Sequence, residues 1–503
     1  MRVEEQISSG EALFEKWRSR LGFFVGPALF ILILILPIGQ LSTSAHRLLA
    51  ILGWVMVYWI TESIPIPATA LLGAVLCILL GIDEEKKVLA SFANPIIFLF
   101  MGSFMIARAM RIHKLDLRLA YFILSRKFLG QSQLGIVLAV AFLSAFLSMW
   151  ISNTATAAMV FPVALGIITS ISEAQKESAD LTGFKTGLML IVAYASSIGG
   201  IATPVGTPPN LIGLGMLETI LGKKISFFSW MLLGVPLAAV TLALLIFFFK
   251  ALFRIKRKQL ENLGQQIQAK RKALGNWTKG QKNTLIAFLT AVTLWVLPGL
   301  IAILSSTSSG LYDFYNSRIP EAAAAILAAL LLFVLPVNWK QREFTLTWRE
   351  AVRIDWGTIL LFGGGLTLGS LMFSTGLAEK LGFWIISLTG ASSLWAITLI
   401  AIITAVFISE TTSNTASASM VVPVVIAIAQ SAGVSPLPPA LGATLGASFG
   451  FMLPVSTPPN AIVYSSGFIP ITRMIRAGIG LDLLGILVIW LGLRILSPIL
   501  GLV

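Results

Sequence analysis

The sequence predicts an all-α polytopic membrane protein, and three observations support that fold class. Of its 503 residues, 56% are hydrophobic and only 12% are charged, whereas soluble domains carry roughly a quarter charged residues. Apolar runs long enough to cross a hydrocarbon core of about 30 Å recur along the chain, most plainly at 22–41, 226–250, 284–303 and 477–500. Third, the two halves of the chain repeat one another. Because the apolar runs are unbroken rather than alternating, we do not expect a porin-like barrel.

The positive charge is concentrated where cytoplasmic segments of membrane proteins carry it. The formal net charge of +14 could by itself suggest nucleic-acid binding. However, the basic residues cluster in 251–283, where Glu261 is the single acid, and just before the first apolar run. The positive-inside rule places such segments in the cytoplasm. That first run has no small-residue cleavage site, so we expect a retained helix and not a signal peptide. We expect a multi-pass inner (plasma) membrane protein with a cytoplasmic N-terminus and no nucleic-acid partner.

The internal repeat rests on three pairs of motifs that return in the same order and at nearly the same spacing. They are FLFMGSF at 98–104 with LLFGGGL at 360–366, ISNTATAAMVFP at 151–162 with TSNTASASMVVP at 412–423, and TPVGTPPNLI at 203–212 with LPVSTPPNAI at 453–462. Many secondary transporters are built from such repeats.

The repeat and the charge pattern together divide the chain into four segments. We expect a cytoplasmic arm at 1–21, a first repeat half with its preceding helices at 22–250, a basic cytoplasmic linker at 251–283 and a second half at 284–503. Segment 89–110 looks too short to cross, so we interpret it, with the amphipathic piece after it, as a re-entrant hairpin. Segment 355–377 is its predicted partner. An odd number of crossings between the repeats would invert the second half, which is our expectation.

In each half an apolar helix runs into Ser-Asn-Thr and then resumes with small residues. These polar residues suit a helix break, where Ser152 or Asn153 could cap the half-helix that follows. A half-helix N-terminus offers free N–H groups and a positive dipole end to an anion. Side-chain and unwound backbone oxygens at the same break are hard ligands of the kind that Na⁺ needs. The competing interpretation is that these small polar residues only join membrane helices together, and duplication at matched positions argues against it.

The second motif is a Pro pair preceded by Thr and followed by Asn. A Pro pair cannot continue a helix, so Thr207 and Thr457 should lie on forced turns with exposed hydroxyls. Asn210 and Asn460 can cap the helices that resume. The competing interpretation is a kinked helix without a ligand.

Few ionisable residues lie near these motifs. Glu410 precedes the second Ser-Asn-Thr, and Glu62 lies in WITESIPIPAT. Intramembrane carboxylates are often functional, but both lie at predicted helix ends, which favours ion pairing or capping over a proton relay. The lone Cys77 is interpreted as a packing residue. The sequence contains no Walker-type loop, no Cys/His cluster and no nucleophile with a base, which argues against ATP-driven transport and against an intramembrane enzyme.

At these motifs the chain resembles the divalent anion/sodium symporter family, which includes bacterial and animal dicarboxylate and citrate carriers. The resemblance runs from TESIPIPAT at 61–69 to the last apolar runs and includes ASFGFMLPVSTPPNAIV at 447–463. It implies about eleven transmembrane helices with two re-entrant helical hairpins, arranged as an inverted repeat in a homodimer. It also implies a scaffold domain and a transport domain that moves through the bilayer as an elevator.

The resemblance further implies two sodium sites and one substrate site. The first sodium site would use Ser148, Ser152, Asn153 and the backbone near Gly206, and the second would use Ser409, Thr412, Asn414 and the backbone near Ser456. The substrate-binding residues would be Ser152, Asn153, Thr154, Thr207, Ser413, Asn414, Thr415, Thr457 and Pro458. Ser148 and Ser409 each stand four residues, about one helical turn, before their Ser-Asn-Thr serine, a spacing that supports ligation independently.

The favoured function is therefore sodium-coupled symport of a four-carbon dicarboxylate such as succinate, malate or fumarate. Some members of the family exchange dicarboxylates without sodium, for example 2-oxoglutarate for malate, and that alternative stays open. An inorganic divalent anion such as sulfate is a further alternative.

Overall fold

A computed structural model describes residues 9–39, 41–126, 132–174, 179–255, 263–305, 309–390 and 392–502. Its first half contains eleven α-helices: α1 (Ser9–Ile35), α2 (Thr43–Thr61), α3 (Ile66–Leu79), α4 (Glu85–Ala90), α5 (Pro95–Ile112), α6 (Leu115–Leu124), α7 (Gln133–Ser148), α8 (Asn153–Ala174), α9 (Ala179–Gly200), α10 (Pro208–Leu221) and α11 (Phe227–Leu252). A 3₁₀ turn, Ser91–Ala93, precedes α5.

The linker contributes α12 (Leu263–Ala273), and Glu261 lies outside the described residues. The second half contains α13 (Lys279–Ser305), α14 (Gly310–Arg318), α15 (Glu321–Val334), α16 (Trp348–Ala351), α17 (Trp356–Ser374), α18 (Leu377–Thr389), α19 (Leu394–Thr411), α20 (Asn414–Ser431), α21 (Leu437–Gly446), α22 (Pro458–Tyr464) and α23 (Ile471–Ile499). Two short antiparallel strands, β1 (Pro336–Asn338) and β2 (Glu343–Phe344), join α15 to α16.

The polytopic all-α fold is confirmed. Within the described residues, eleven helices are long and apolar enough to cross a membrane. The pair α14 and α15, bent by 58°, would make twelve if it formed one span. Helix α1 runs without a break from Ser9, within the predicted N-terminal arm, into the first apolar run, and the cytoplasmic position of the arm stays a prediction.

The predicted placement of the hairpins is wrong. Helices α5 and α17 are continuous over 18 and 19 residues, so neither segment turns back on itself. The breaks lie instead at the Ser-Asn-Thr motifs, between α7 and α8 at 149–152 and between α19 and α20 at 412–413.

Helices α7 and α8 form a hairpin whose outer ends lie together. Arg271, at the end of the linker helix, donates a hydrogen bond to Ser125, which precedes α7, at 3.0 Å. The Lys270 amine lies against Gly166, far along α8 from the break. Since both outer ends lie beside the linker, the Ser-Asn-Thr break is the inner tip of the hairpin. In the second half, Ser431 at the C-terminal end of α20 donates to the Glu379 carbonyl, near the start of α18, at 3.4 Å.

Helix α9 forms the centre of the first half. Of an 18-residue apolar stretch within Leu181–Gly200, 94% is buried inside the protein, because small residues let the neighbouring helices approach. A Cβ on Gly199 would collide with the Ala145 backbone of α7, so this glycine permits a close helix–helix contact. The tight packing holds the first break in a fixed position.

Candidate binding site

The two Ser-Asn-Thr breaks face one cavity of about 560 Å³. Its lining includes all nine residues that the sequence predicts for substrate binding: Ser152, Asn153, Thr154, Thr207, Ser413, Asn414, Thr415, Thr457 and Pro458. Residues from the two halves are more than 200 positions apart in the sequence, so only the tertiary fold brings them together. Binding itself stays a prediction.

At the first break, side-chain hydrogen bonds hold Asn153 in place. Ser148 Oγ donates to Asn153 Oδ1 at 2.7 Å, and Asn153 Nδ2 points to Thr207 Oγ1 at 3.5 Å. Ser152 caps α8 by accepting from the Ala155 backbone N–H at 3.3 Å. This capping bond is what the N-cap preference of Ser predicts.

Backbone oxygens gather behind Asn153. A Cβ on Gly206 would lie 2.5 Å from the carbonyl oxygen of Gly200 and 2.8 Å from that of Ser148. Asn210, just after the Pro pair, donates to the carbonyls of Gly200 and Thr203 at 3.0 and 2.8 Å. The first break therefore presents a cluster of hard oxygen donors, the ligand type that Na⁺ binds.

The second break repeats this geometry. Ser409 Oγ lies 2.8 Å from Asn414 Oδ1 and also 2.8 Å from the Ala447 carbonyl. Ser413 caps α20 by accepting from the Ala416 backbone N–H at 3.2 Å. Asn460 donates to the carbonyls of Gly450 and Leu453 at 2.9 and 3.0 Å, as its repeat partner does in the first half. The two halves therefore use the same local chemistry.

The halves differ at one position, where Ser456 stands opposite Gly206. Ser456 Oγ lies 2.6 Å from Glu410 Oε2 and 3.0 Å from the Glu410 carbonyl. The other carboxylate oxygen of Glu410 accepts from the Met452 backbone N–H at 2.9 Å. Glu410 thus ties α19 to the loop after α21, which agrees with the structural role favoured from the sequence. Glu62, the other acid weighed there, forms an ion pair with Arg18 at 3.7 Å.

The predicted sodium ligands lie partly behind the cavity. Ser152, Asn153, Asn414 and Ser456 line it, whereas Ser148, Gly206, Ser409 and Thr412 are buried beneath it. The Thr412 hydroxyl points to the carbonyls of Ile408 and Ser413 at 3.2 and 3.3 Å. Asn153 and Asn414 therefore stand between the cavity and the buried oxygen clusters.

Helix ends make this wall of the cavity favourable to anions. Helices α8, α10 and α20 all begin at residues that line the cavity or immediately follow them. Each N-terminus carries a partial positive charge, although α10 begins with Pro208 and Pro209, which have no N–H to offer. Among the residues of this wall that line the cavity, no side chain is charged. The wall therefore attracts an anion through the helix dipoles alone.

The opposite wall has a different composition, and sequence reasoning missed it. It is formed by the start of α3, one face of α5 (Phe104, Ala107 and Arg111), and the segment 353–361 at the start of α17. Its charged residues are Arg111, Arg353 and Asp355. The sequence signal was weak, since a basic residue at the end of an apolar helix is common at membrane interfaces.

Asp482 was also missed, although an acid inside the apolar run 477–500 was visible. It lies on α23, is 5% exposed, and its carboxyl group is within hydrogen-bonding reach of Glu410. The Phe451 backbone amide faces it, but neither Asp482 oxygen has a hydrogen bond of good geometry. A rule that intramembrane carboxylates deserve notice would have found it.

The comparisons with known proteins agree with this architecture. The family model described as the sodium:sulfate symporter transmembrane region matches residues 18–503. The sodium-dependent dicarboxylate transporter SdcS of Staphylococcus saprophyticus is 35% identical over 483 residues, which cover 95% of this chain and 91% of that protein. The SdcS protein of Staphylococcus aureus is 35% identical over 485 residues, with the same shares.

Two solved structures share the fold at low sequence identity. The YdaH transporter of Alcanivorax borkumensis aligns with a TM-score of 0.54 and 14% identity, covering 95% of this chain and 97% of that one. MtrF of Neisseria gonorrhoeae, described among antimetabolite efflux pumps, aligns with a TM-score of 0.55 and 12% identity, covering 94% and 97%.

Proposed function

Since the chain belongs to the sodium:sulfate symporter transmembrane family, we propose that it carries a dicarboxylate across the membrane together with sodium ions. It is a secondary transporter and not an enzyme. The relatives named as sodium-dependent dicarboxylate transporters are 35% identical to this chain over nearly its whole length. The observation that carries the proposal is the meeting of both Ser-Asn-Thr breaks at one cavity.

A dicarboxylate matches the two-fold arrangement of donors. One carboxylate would be held by Asn153 and Thr154 and the other by Asn414 and Thr415, with Thr207, Thr457 and Pro458 around them. Each carboxylate then meets a helix N-terminus and an amide donor, and such charge-assisted bonds are short and strong. Substrates of four carbons, such as succinate, malate or fumarate, are the proposed class.

Sodium ions bound behind Asn153 and Asn414 would neutralise the negative charge of the substrate. One would lie among Ser148, Ser152, Asn153 and the carbonyls near Gly206, and the other among Ser409, Thr412, Asn414 and the backbone near Ser456. Each asparagine then contributes its oxygen to the ion and its N–H groups to the substrate. This shared residue couples the two ligands, because an ion that orients the asparagine also prepares the substrate site.

The contrast between the two cavity walls supports an elevator mechanism. The breaks and Pro pairs form one wall, and α3, α5 and α17 form the other. Movement of the first wall past the second would carry the site from one face of the membrane to the other. We further propose a homodimer, on the family resemblance, and an inner-membrane location with a cytoplasmic N-terminus, on the distribution of basic residues.

Uptake into proteoliposomes tests this function. Labelled succinate should accumulate when an inward sodium gradient is applied and should not when choline replaces sodium. Uptake that ignores sodium but depends on internal dicarboxylate would identify an exchanger instead. Competition by sulfate stronger than that by malate or fumarate would identify an inorganic anion carrier.

A further inference from the structure

We propose that Arg111 and Arg353 form a cationic entrance that draws dianionic substrate into the cavity and sets its preference for two negative charges. The inference rests on the proposed function and extends it to a wall of the cavity that has no part in substrate binding there. The two arginines come from separate elements, the last turn of α5 and the segment before α17. Both line the cavity, and both are solvent-exposed.

The position of Arg111 follows from helix geometry. Phe104, Ala107 and Arg111 are spaced by three and four residues and so share one face of α5, and all three line the cavity. The two inner positions are apolar, and the outermost is a guanidinium. Beyond it, the Gln281 side chain, near the end of the linker segment, donates to the His113 carbonyl at 3.1 Å. Arg111 therefore marks the edge of the cavity near the linker.

The charge of this edge is only partly offset by neighbouring acids: the buried Asp116, outside the cavity lining, interacts electrostatically with Arg111. Within the described residues neither Arg111 nor Arg353 forms an ion pair. Asp355 is the only acid in the cavity lining, and its carboxylate caps α17, accepting from the Thr358 hydroxyl at 2.6 Å and the Thr358 N–H at 3.1 Å. The entrance therefore carries two positive charges against one partly satisfied negative charge.

The division between the walls has a physical consequence. The binding wall is uncharged, so the arginines supply the full cationic charges among the residues that line the cavity. A cleft edged with one sign of charge raises the local concentration of oppositely charged ligands, and salt screens the effect. A dianion is drawn in more strongly than a monoanion of similar shape. The arginines should thus affect the apparent substrate affinity far more than the maximal rate.

The test compares Arg111→Gln, Arg353→Gln and the double variant with wild type in sodium-driven uptake. Arg349→Gln is the matched control, because Arg349 is exposed on α16, four residues before Arg353, and lies outside the cavity lining. Succinate is the dianionic probe, and monomethyl succinate is the monoanionic one. Each cavity variant should raise the KM for succinate by about tenfold, at the lower end of electrostatic effects in charged clefts. The maximal rate should change little, and the KM for monomethyl succinate should rise only about threefold, because the attraction scales with the charge of the ligand.

Three results would overturn the proposal: a succinate KM in both variants equal to that of Arg349→Gln, an equal loss for both probes, or a loss of maximal rate alone. Arg353→Lys keeps the charge and should restore most of the affinity. If a glutamine variant does not fold, the salt dependence of the wild-type protein tests the proposal instead. Its succinate KM must rise when choline chloride is added at constant sodium, and a constant KM overturns the inference. Wild type without sodium-dependent uptake would instead refute the proposed function.

Discussion

Ser456 and Glu410 are joined by a hydrogen bond of 2.6 Å between two buried side chains. The bond exists only in the second half, because Gly206 occupies the matching position in the first. It connects a residue that lines the cavity to the last turn of α19, next to Ser409.

Replacing Ser456 by Ala should weaken sodium activation and stability together. The substitution leaves Glu410 Oε2 without its donor, and an unsatisfied buried acceptor costs about 1–3 kcal/mol. We expect a several-fold higher sodium concentration at half-maximal uptake and a lower melting temperature. Ser465→Ala is the control, since that hydroxyl bonds only to the Ile462 carbonyl of its own helix. Equal sodium curves for the two variants would show that Ser456 has no part in the sodium response.

Asn153→Ala and Asn414→Ala should each abolish uptake while the protein remains folded. Each asparagine accepts from a serine one turn upstream and faces the cavity, so its loss removes groups from the ion side and the substrate side at once. The measurement is labelled succinate uptake, with size-exclusion chromatography to confirm folding. Asn338→Ala, at a half-buried position of β1 outside the cavity lining, should behave as wild type. Substantial uptake by either cavity variant would refute the site assignment.

Gly200→Ala should impair transport by displacing Asn153. A Cβ on Gly200 would collide with the Asn153 side-chain oxygen, so Asn153 would have to leave the geometry that Ser148 fixes. Gly369→Ala is the control on another buried helix, because the nearest atom to its Cβ would lie 3.5 Å away, an ordinary contact. We expect a loss of sodium-dependent uptake for Gly200→Ala alone. Normal uptake with a normal sodium response would mean that the position of Asn153 is not critical.

Asp482→Asn should stabilise the protein or leave it unchanged, whereas Glu410→Ala should destabilise it. Two buried carboxyl groups in contact disfavour each other's charge, and an amide in place of Asp482 could donate to Glu410. Loss of the Glu410 carboxylate instead strands the Met452 N–H and leaves Ser456 only the backbone carbonyl of residue 410, at a cost of several kcal/mol at most. Thermal unfolding in detergent distinguishes the two. A large destabilisation by Asp482→Asn would show that its charge is required.

Local chemistry made the breaks in the helices predictable from the sequence. Ser152 and Ser413 cap helices because a hydroxyl before a helix satisfies a free N–H, and the Pro pairs start α10 and α22 because Pro fits the first turn. The duplication then indicated that the two breaks act together, and the structure brings them to one cavity.

Tertiary contacts explain what the sequence could not supply. The hairpins were placed at 89–110 and 355–377 from apparent length alone, but a run's length does not say whether the chain turns back. That depends on contacts such as those of the linker with Ser125 and Gly166. Arg111 and Arg353 are more than 240 residues apart, and nothing in either segment indicates that both reach the same cavity.

The difference between Gly206 and Ser456 also has a stereochemical consequence. A cavity made of two related but unequal halves has no true two-fold axis, even though its capping serines, asparagines and Pro pairs correspond. A symmetric molecule such as succinate would therefore have two distinguishable ends once bound, one beside a bare backbone and the other beside a hydroxyl held by Glu410. An unsymmetric one such as malate would have two inequivalent orientations, and the protein would select between them.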